Sequence, residues 1–178
     1  MDLINTFISW RRCMYYFSYA ANISVAWFQK RIASAEPLDT YELHGYRLEF
    51  NKIGDDGSSK ANAVYTGNQE DSIWGVVYQV AEEDRHALEN GYNSRKHGYI
   101  KQNITVEVDY EPHQAFMFVA QESFIDDNLK PYSWYVFHLL HGAMSADFPM
   151  EYVGMLQNID TLTDTDIQRA CNENEVYA

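Results

Sequence analysis

The sequence predicts a single domain of the α+β class, built on a mixed or barrel-like β-sheet. Strand-like runs rich in aromatic and branched residues are frequent in the first two thirds of the chain, while runs with helical spacing dominate its end. The chain has 178 residues and is 46% hydrophobic, which is enough for one compact core. Nine glycines and four prolines are too few for a disordered or repetitive polymer.

The first part of the chain is predicted to hold a strand, a helix and further strands. The expected elements are a short helical turn at residues 5–10, a strand at 14–20, a helix at 23–32, and strands at 42–53, 61–65 and 72–80. Near-alternation of aromatic and branched residues supports the later strands. The polar, glycine-bearing stretch GDDGSSK separates two of them.

The second part is predicted to add a helix, two strands and three closing helices. The helix at 81–89 has acidic residues in its first turn, where they complement the helix dipole. Strands at 99–110 and 114–121 are expected to join through a hairpin-like link around Pro112. Helices are expected at 132–145, 149–159 and 163–174, the last with Thr163 and Asp166 as a possible capping box.

Charge and cysteine content bound the partners and the location. A formal net charge of −13 and the absence of a basic patch disfavour nucleic acid and anionic membranes as partners. No apolar run approaches the length of a membrane span, and the N-terminus does not have the pattern of a signal peptide. Two distant cysteines fit a reduced, cytoplasmic setting. The sequence leaves the oligomeric state open.

Neither a cofactor nor a metal site is predicted. His138 and His141 lie three residues apart in a predicted helix, but the neighbouring sequence offers no third metal ligand. Their simpler interpretation is that of packed or half-exposed helix residues.

Four segments in order resemble the gamma-glutamylcyclotransferase-like family, which includes gamma-glutamylamine cyclotransferases and AIG2-like proteins. They are YFSYAANI (16–23), LHGYRLEF (43–50), IWGVVYQV (73–80) and the stretch from PYSWY to LQNI (131–159). The resemblance covers residues 16–160, which leaves an N-terminal extension at 1–15 and a C-terminal helix or tail at 161–178. It implies a small mixed β-barrel with flanking helices and a pocket at one end.

The resemblance also implies a substrate site. In the family, the loop after the first strand holds a glutamyl head group, and here that loop is Tyr19, Ala20, Ala21 and Asn22. Tyr99 and Tyr135 match further tyrosines of the family's pattern. A family glutamate serves as general base and acid, because the substrate's α-ammonium must lose a proton before it attacks the γ-carbonyl and the departing amine must gain one.

The stretch LENGYNSRKHGY (88–99) departs from the family's pattern. Tyr92 stands at the position of the catalytic glutamate, and a phenol of ordinary pKa, ~10, is a poor base at neutral pH. Glu89 is the candidate for a displaced catalytic carboxylate, with Tyr92 as a perturbed acid–base or ligand-contacting residue and Glu122 as another possible acid. Ala20 and Ala21 replace a glycine and a serine, so the loop is expected to be reshaped or lost as a cradle for a carboxylate.

Two functions therefore remain open. The first is a divergent cyclotransferase that acts on a gamma-glutamyl amine or a related small amino-acid conjugate by intramolecular cyclisation. The second is a catalytically inactive relative that binds a small metabolite or a partner protein.

Overall fold

The computed structural model describes residues 12–91 and 95–177. The predicted turn at 5–10 and Tyr92 lie outside these ranges. The described strands are β1 (Cys13–Ser18), β2 (Glu36–His44), β3 (Tyr46–Ile53), β4 (Ser59–Tyr65), β5 (Ser72–Ala81), β6 (Tyr99–Val108) and β7 (Glu111–Ala120). The described helices are α1 (Val25–Gln29), α2 (Arg85–Asn90), α3 (Ser133–Ser145), α4 (Met150–Gln157) and α5 (Ile167–Asn174). The predicted α+β class is confirmed.

Five strands form a mixed sheet in the order β2-β5-β1-β7-β6. The β1–β7 pair is parallel, and the other neighbours are antiparallel. Central strands of such a sheet carry its largest apolar side chains, since both faces are covered. Phe17 of β1, Tyr78 of β5 and Met117 of β7 are all fully buried, so the core is centred on these three strands.

The sheet does not close into a barrel, which corrects the barrel part of the predicted fold. β3 and β4 form a separate two-stranded sheet, and the described edge strands β2 and β6 share no ladder. The predicted single strand at 42–53 is broken at Gly45, whose φ of +82° is a left-handed conformation that glycine adopts readily. The chain therefore turns out of the main sheet at this residue.

The turn between β6 and β7 lies at Asp109 and Tyr110 rather than around Pro112. Both residues have positive φ, 52° and 64°, as a type I′ hairpin turn requires. Pro112 lies instead near the start of β7, paired with Glu107, at a strand position where proline is tolerated. The hairpin was correctly expected, but its turn was placed too late.

The predicted helix at 23–32 is shorter than expected and follows a 3₁₀ turn at Ala21–Ile23. Ser24 caps α1, because its Oγ accepts a hydrogen bond from the Trp27 amide at 3.4 Å. α3 packs directly on this turn at Gly142, where an added Cβ would lie 2.5 Å from the Ser24 nitrogen. The glycine thus allows the close approach of helix and turn that positions the loop after β1.

α5 is tied to α3 through Asp164. This buried carboxylate accepts hydrogen bonds from Trp134 Nε1 at 2.8 Å and from Arg169 Nε at 2.6 Å. The N-cap of α5 is Asp166, whose Oδ1 accepts from the Arg169 amide at 3.0 Å, so the predicted capping box with Thr163 is wrong. The proposed boundaries at residues 15/16 and 160/161 stay predictions.

Two further observations concern the described residues. None of their helices is long and apolar enough to cross a membrane. Cys13 and Cys171 are both exposed and free.

Candidate functional site

A cavity of about 530 Å³ lies where the loop after β1, the ends of β3 and β4, and helices α1, α2, α3 and α5 meet. This volume is typical of small-molecule sites. All six residues that the sequence predicted to contact substrate line it: Tyr19, Ala20, Ala21, Asn22, Tyr99 and Tyr135. The structure therefore brings together residues up to 116 positions apart in sequence. Their role in binding stays a prediction.

Three tyrosines of the wall are held through their hydroxyl groups. Tyr19 donates to the Phe118 carbonyl at 2.5 Å. Tyr99 and Tyr135 both reach Ala61 of β4: Tyr99 approaches the carbonyl at 3.5 Å, and Tyr135 accepts from the amide at 3.0 Å. These contacts fix the rings to the two sheets and give the cavity a rigid aromatic wall.

Burial raises the pKa of each of these tyrosines above its ordinary value. A buried phenol is harder to ionise because the low-dielectric surroundings disfavour the phenolate. Tyr19, Tyr99 and Tyr135 are therefore neutral hydrogen-bonding groups at physiological pH rather than general bases.

The loop after β1 accommodates both alanines without backbone strain. Ala20 has φ −108° in the extended region, and the described non-glycine residues with positive φ are Asp109, Tyr110 and Asp147. Asn22 donates to the Tyr16 hydroxyl at 3.3 Å, and its carbonyl accepts from Tyr78 at 2.8 Å. The alanines therefore impose no backbone strain on the loop, and the expected reshaping or loss of the loop as a cradle for a carboxylate stays a prediction.

The structure places Glu89 away from the cavity. Its neighbour Leu88 is buried and lines the wall, and successive residues of a helix point about 100° apart. Glu89 Oε1 instead meets Arg85 Nη1 at 3.0 Å and Lys101 Nζ at 2.7 Å. These ion pairs are partly exposed at the protein surface. Their geometry does not favour Glu89 as the catalytic carboxylate.

The other candidate acids and bases give no replacement. Tyr92 lies outside the described residues, so its predicted role stays untested. Glu122 lies in an exposed 3₁₀ turn and is not part of the cavity wall. The described carboxylates that do line the cavity are Asp55, Asp56 and Glu173.

A charged wall at the ends of β3 and β4 was missed by the sequence reasoning. Lys52, Asp55, Asp56 and Lys60 line the cavity there. Asp56 Oδ2 accepts from Lys60 Nζ at 2.7 Å. Burial alone would raise the pKa of Asp56, but Lys60 together with the two hydrogen bonds from Ser58 lowers it. The sequence of the segment GDDGSSK predicts only a polar link, although its mixed charges next to strand ends are a signal for such a wall.

His97 adds an imidazole to the same wall. Its Nδ1 is hydrogen-bonded to Asp55 Oδ2, and both residues line the cavity. A carboxylate next to an imidazole orients the ring, which is the arrangement of many general acid–base groups.

His138 is a packing residue behind the cavity rather than a ligand. It is fully buried and stacks on Trp27 with ring centroids 4.0 Å apart. Its Nδ1 lies 2.7 Å from the Tyr177 hydroxyl, and burial lowers its pKa. Residues 12–91 and 95–177 contain no group of three or more histidine, cysteine or acidic side chains suited to a metal ion.

Comparison with known proteins supports one family. Residues 72–156 match the AIG2-like family. A search of curated proteins finds no match.

Solved structures share the fold over nearly the whole chain at low identity. A gamma-glutamyl cyclotransferase matches with a TM-score of 0.76 and 18% identity, covering 91% of this chain and 99% of that one. An uncharacterized human protein, loc79017, matches with a TM-score of 0.75 and 18% identity, covering 90% and 98%. A yeast gamma-glutamyl cyclotransferase specific to glutathione matches with a TM-score of 0.61 and 10% identity, covering 81% and 93%.

The predicted resemblance is thus confirmed on two independent grounds. The family match spans β5 to α4, which includes Tyr99 and Tyr135 of the cavity. The structural matches extend the same fold to the remaining strands. The chain therefore has the gamma-glutamylcyclotransferase-like fold, and its residues 72–156 are similar to the AIG2-like family.

Proposed function

We propose that this protein is a cyclotransferase-like protein that binds a small gamma-glutamyl amine or related amino-acid conjugate in the 530 Å³ cavity. One observation carries the proposal: the cavity joins an aromatic wall to a wall that bears both cations and carboxylates. An amino-acid conjugate has an apolar stem, an ammonium and a carboxylate, so such a pair of walls complements it.

Intramolecular cyclisation is the first candidate reaction of the bound conjugate. The α-amine nitrogen attacks the γ-carbonyl carbon, the bond from that carbon to the leaving amine breaks, and a proton moves from the attacking nitrogen to the departing one. The products are 5-oxoproline and a free amine. The described group best suited to carry that proton is His97, which Asp55 orients at the cavity wall.

Binding without turnover is the second candidate, and the position of Glu89 favours it. The contacts of Glu89 with Arg85 and Lys101 support this candidate, because they engage the carboxylate that cyclisation would need as its displaced acid. Asp56 is engaged by Lys60 and has a lowered pKa, which makes it a weak base.

A panel of gamma-glutamyl amines and gamma-glutamyl amino acids distinguishes the two candidates. The assay measures 5-oxoproline release alongside calorimetric binding, with the parent protein and His97→Gln. Cyclisation predicts release that falls at least about tenfold in His97→Gln, since general acid–base groups contribute rates of that order or more. Binding without release supports the second candidate. Neither binding nor release across the panel would refute the proposed function.

A further inference from the structure

Two lysines face each other across the β3–β4 ladder at the cavity wall. Lys52 and Lys60 are direct partners in the register of the two strands, and both line the cavity. Like charges directly opposite in an antiparallel pair destabilise it. A negatively charged group between or beside them would remove that cost.

Lys60 already has such a group within the protein. Its Nζ donates to Asp56 Oδ2 at 2.7 Å and to Ser58 Oγ at 2.7 Å. The Lys60 and Asp56 side chains are only 15% and 14% exposed, so this ion pair is largely shielded from solvent. One of the two charges is therefore compensated.

Lys52 has no comparable partner. The residue is only 2% exposed, and within the described ranges its ammonium has neither a hydrogen bond nor a carboxylate within 4.0 Å. Its nearest favourable contacts are aromatic: Nζ lies 4.6 Å from the centre of the Tyr99 ring and 5.8 Å from that of Phe124. Burial lowers its pKa, as expected for a cation removed from water without full compensation.

The neighbouring carboxylates are engaged elsewhere. Asp56 is held by Lys60 and Ser58, and Asp55 is held by His97 and is itself 61% exposed. Of the other cations of the described wall, Arg169 is paired with the buried Asp164. Lys52 is therefore the wall lysine whose ammonium no described carboxylate meets directly.

We propose that the Lys52 ammonium is the subsite that binds a carboxylate of the ligand. This inference rests on the proposed function and deepens it, because it names the chemical group that the charged wall selects. Tyr99, beneath the ammonium, would then be covered by the ion pair, and the remainder of the ligand would extend toward Tyr19 and Asn22 on the aromatic side.

Thermal unfolding in a buffer of low anion content provides a first, ligand-free test. Lys52→Met keeps the aliphatic stem and removes the charge, so the variant should melt at a temperature equal to or above that of the parent. Lys130→Met, at an ion pair with Asp160 on the surface, is the matched control for loss of a lysine. A clear decrease in melting temperature in Lys52→Met alone would overturn the proposal, because it would show that the charge has a structural partner.

Ligand titration provides the second test, with glutarate, 5-oxoproline, the neutral diamide of glutarate and inorganic phosphate as probes. The two carboxylates should bind about 10- to 100-fold more weakly to Lys52→Met than to the parent or to Lys130→Met, as for loss of one charge-assisted hydrogen bond. The diamide should bind the parent and Lys52→Met alike. Equal binding of carboxylates by both proteins, no carboxylate binding by the parent, or phosphate binding as tight as carboxylate binding would each overturn the assignment.

The two proposals fail separately. Lys52-dependent carboxylate binding without any binding or turnover of gamma-glutamyl conjugates would refute the proposed function and leave the carboxylate subsite standing. Turnover of conjugates that is unchanged in Lys52→Met would refute the subsite and leave the proposed function standing.

Discussion

Two helical glycines in neighbouring helices should respond to alanine in opposite directions. Gly142 lies in α3 against the 3₁₀ turn that carries Ala21 and Asn22 of the cavity. A Cβ at Gly142 would lie 2.5 Å from the Ser24 nitrogen, 2.6 Å from Ile23 Cγ1 and 2.7 Å from the Ile23 carbonyl carbon. A Cβ at Gly154 in α4 would meet nothing within 4 Å.

The magnitudes follow from two opposing effects. Replacing glycine by alanine inside a helix stabilises the folded state by about 1 kcal/mol. Gly154→Ala should gain most of this. At Gly142 the same gain is opposed by overpacking, which costs about 1–3 kcal/mol or more when the contacts are backbone atoms that cannot rotate away. Because two of the three close atoms belong to the backbone, we expect Gly142→Ala to lose about 1–2 kcal/mol net.

Urea and thermal unfolding of the parent and both variants measure the difference. A change of 1 kcal/mol shifts the melting temperature of a chain of this size by about 2–4 °C, so the two variants should move apart by about 4–12 °C. Gly142→Ala should also weaken ligand binding, since relief of the overlap must move either α3 or the turn that carries Asn22. A stabilisation of similar size in both variants would refute the close packing of α3 on the turn.

Three further predictions concern the aromatic wall, the buried histidine and the surface carboxylate. Tyr135→Phe leaves the buried Ala61 amide without its acceptor and should lower the free energy of unfolding, measured in urea, by about 1–3 kcal/mol. Tyr110→Phe, at a 93% exposed turn residue, should change it little. Equal effects of the two substitutions would contradict the assigned hydrogen bond. Because the pKa of His138 is lowered in the folded protein, the unfolded chain binds this proton at a higher pH. The free energy of unfolding should therefore fall as the pH drops below about 6.5, by at most about 1.4 kcal/mol per pH unit. This acid dependence should be weaker in His138→Gln, and an unchanged slope in that variant would contradict the burial of a neutral His138. Glu89→Gln should leave ligand affinity within a factor of about two and cost less than about 1 kcal/mol of stability, because partly exposed ion pairs contribute little; loss of binding measured by calorimetry would return Glu89 to the site.

Much of the site could be predicted from local sequence. The runs IWGVVYQV and YSWYVFHLL are long and strongly patterned, and they form β5 and α3 close to the predicted bounds. Because the segments that form β1, β5 and α3 match the family in order, the resemblance predicts that Tyr19, Tyr99 and Tyr135 share one pocket. All three line the same cavity. These predictions depended on patterns that persist over many residues.

The rest depended on geometry that no local pattern records. Gly45 separates β2 from β3, although the alternation of apolar and polar residues continues across it. Only its backbone conformation shows that the strand is broken there. The facing of Lys52 and Lys60 follows from a register shift between Glu49 and Lys52, which the sequence of β3 does not reveal. The sequence does not predict whether Glu89 faces the cavity or the solvent. The reason is that α2 has only six residues, which are too few to define a buried face by periodicity.

The central claim is that the cavity between the sheet and α3 binds the ligand. Calorimetric titration of a gamma-glutamyl amine into the parent and into Ala20→Trp tests it directly, because Ala20 is a half-buried wall residue at which an indole would occupy the cavity. Met144→Trp, at a 59% exposed position of α3 outside the wall, controls for the added ring. The account predicts binding to the parent and to Met144→Trp and none to a folded Ala20→Trp. Absence of binding to the parent, or equal binding to all three proteins, would contradict it.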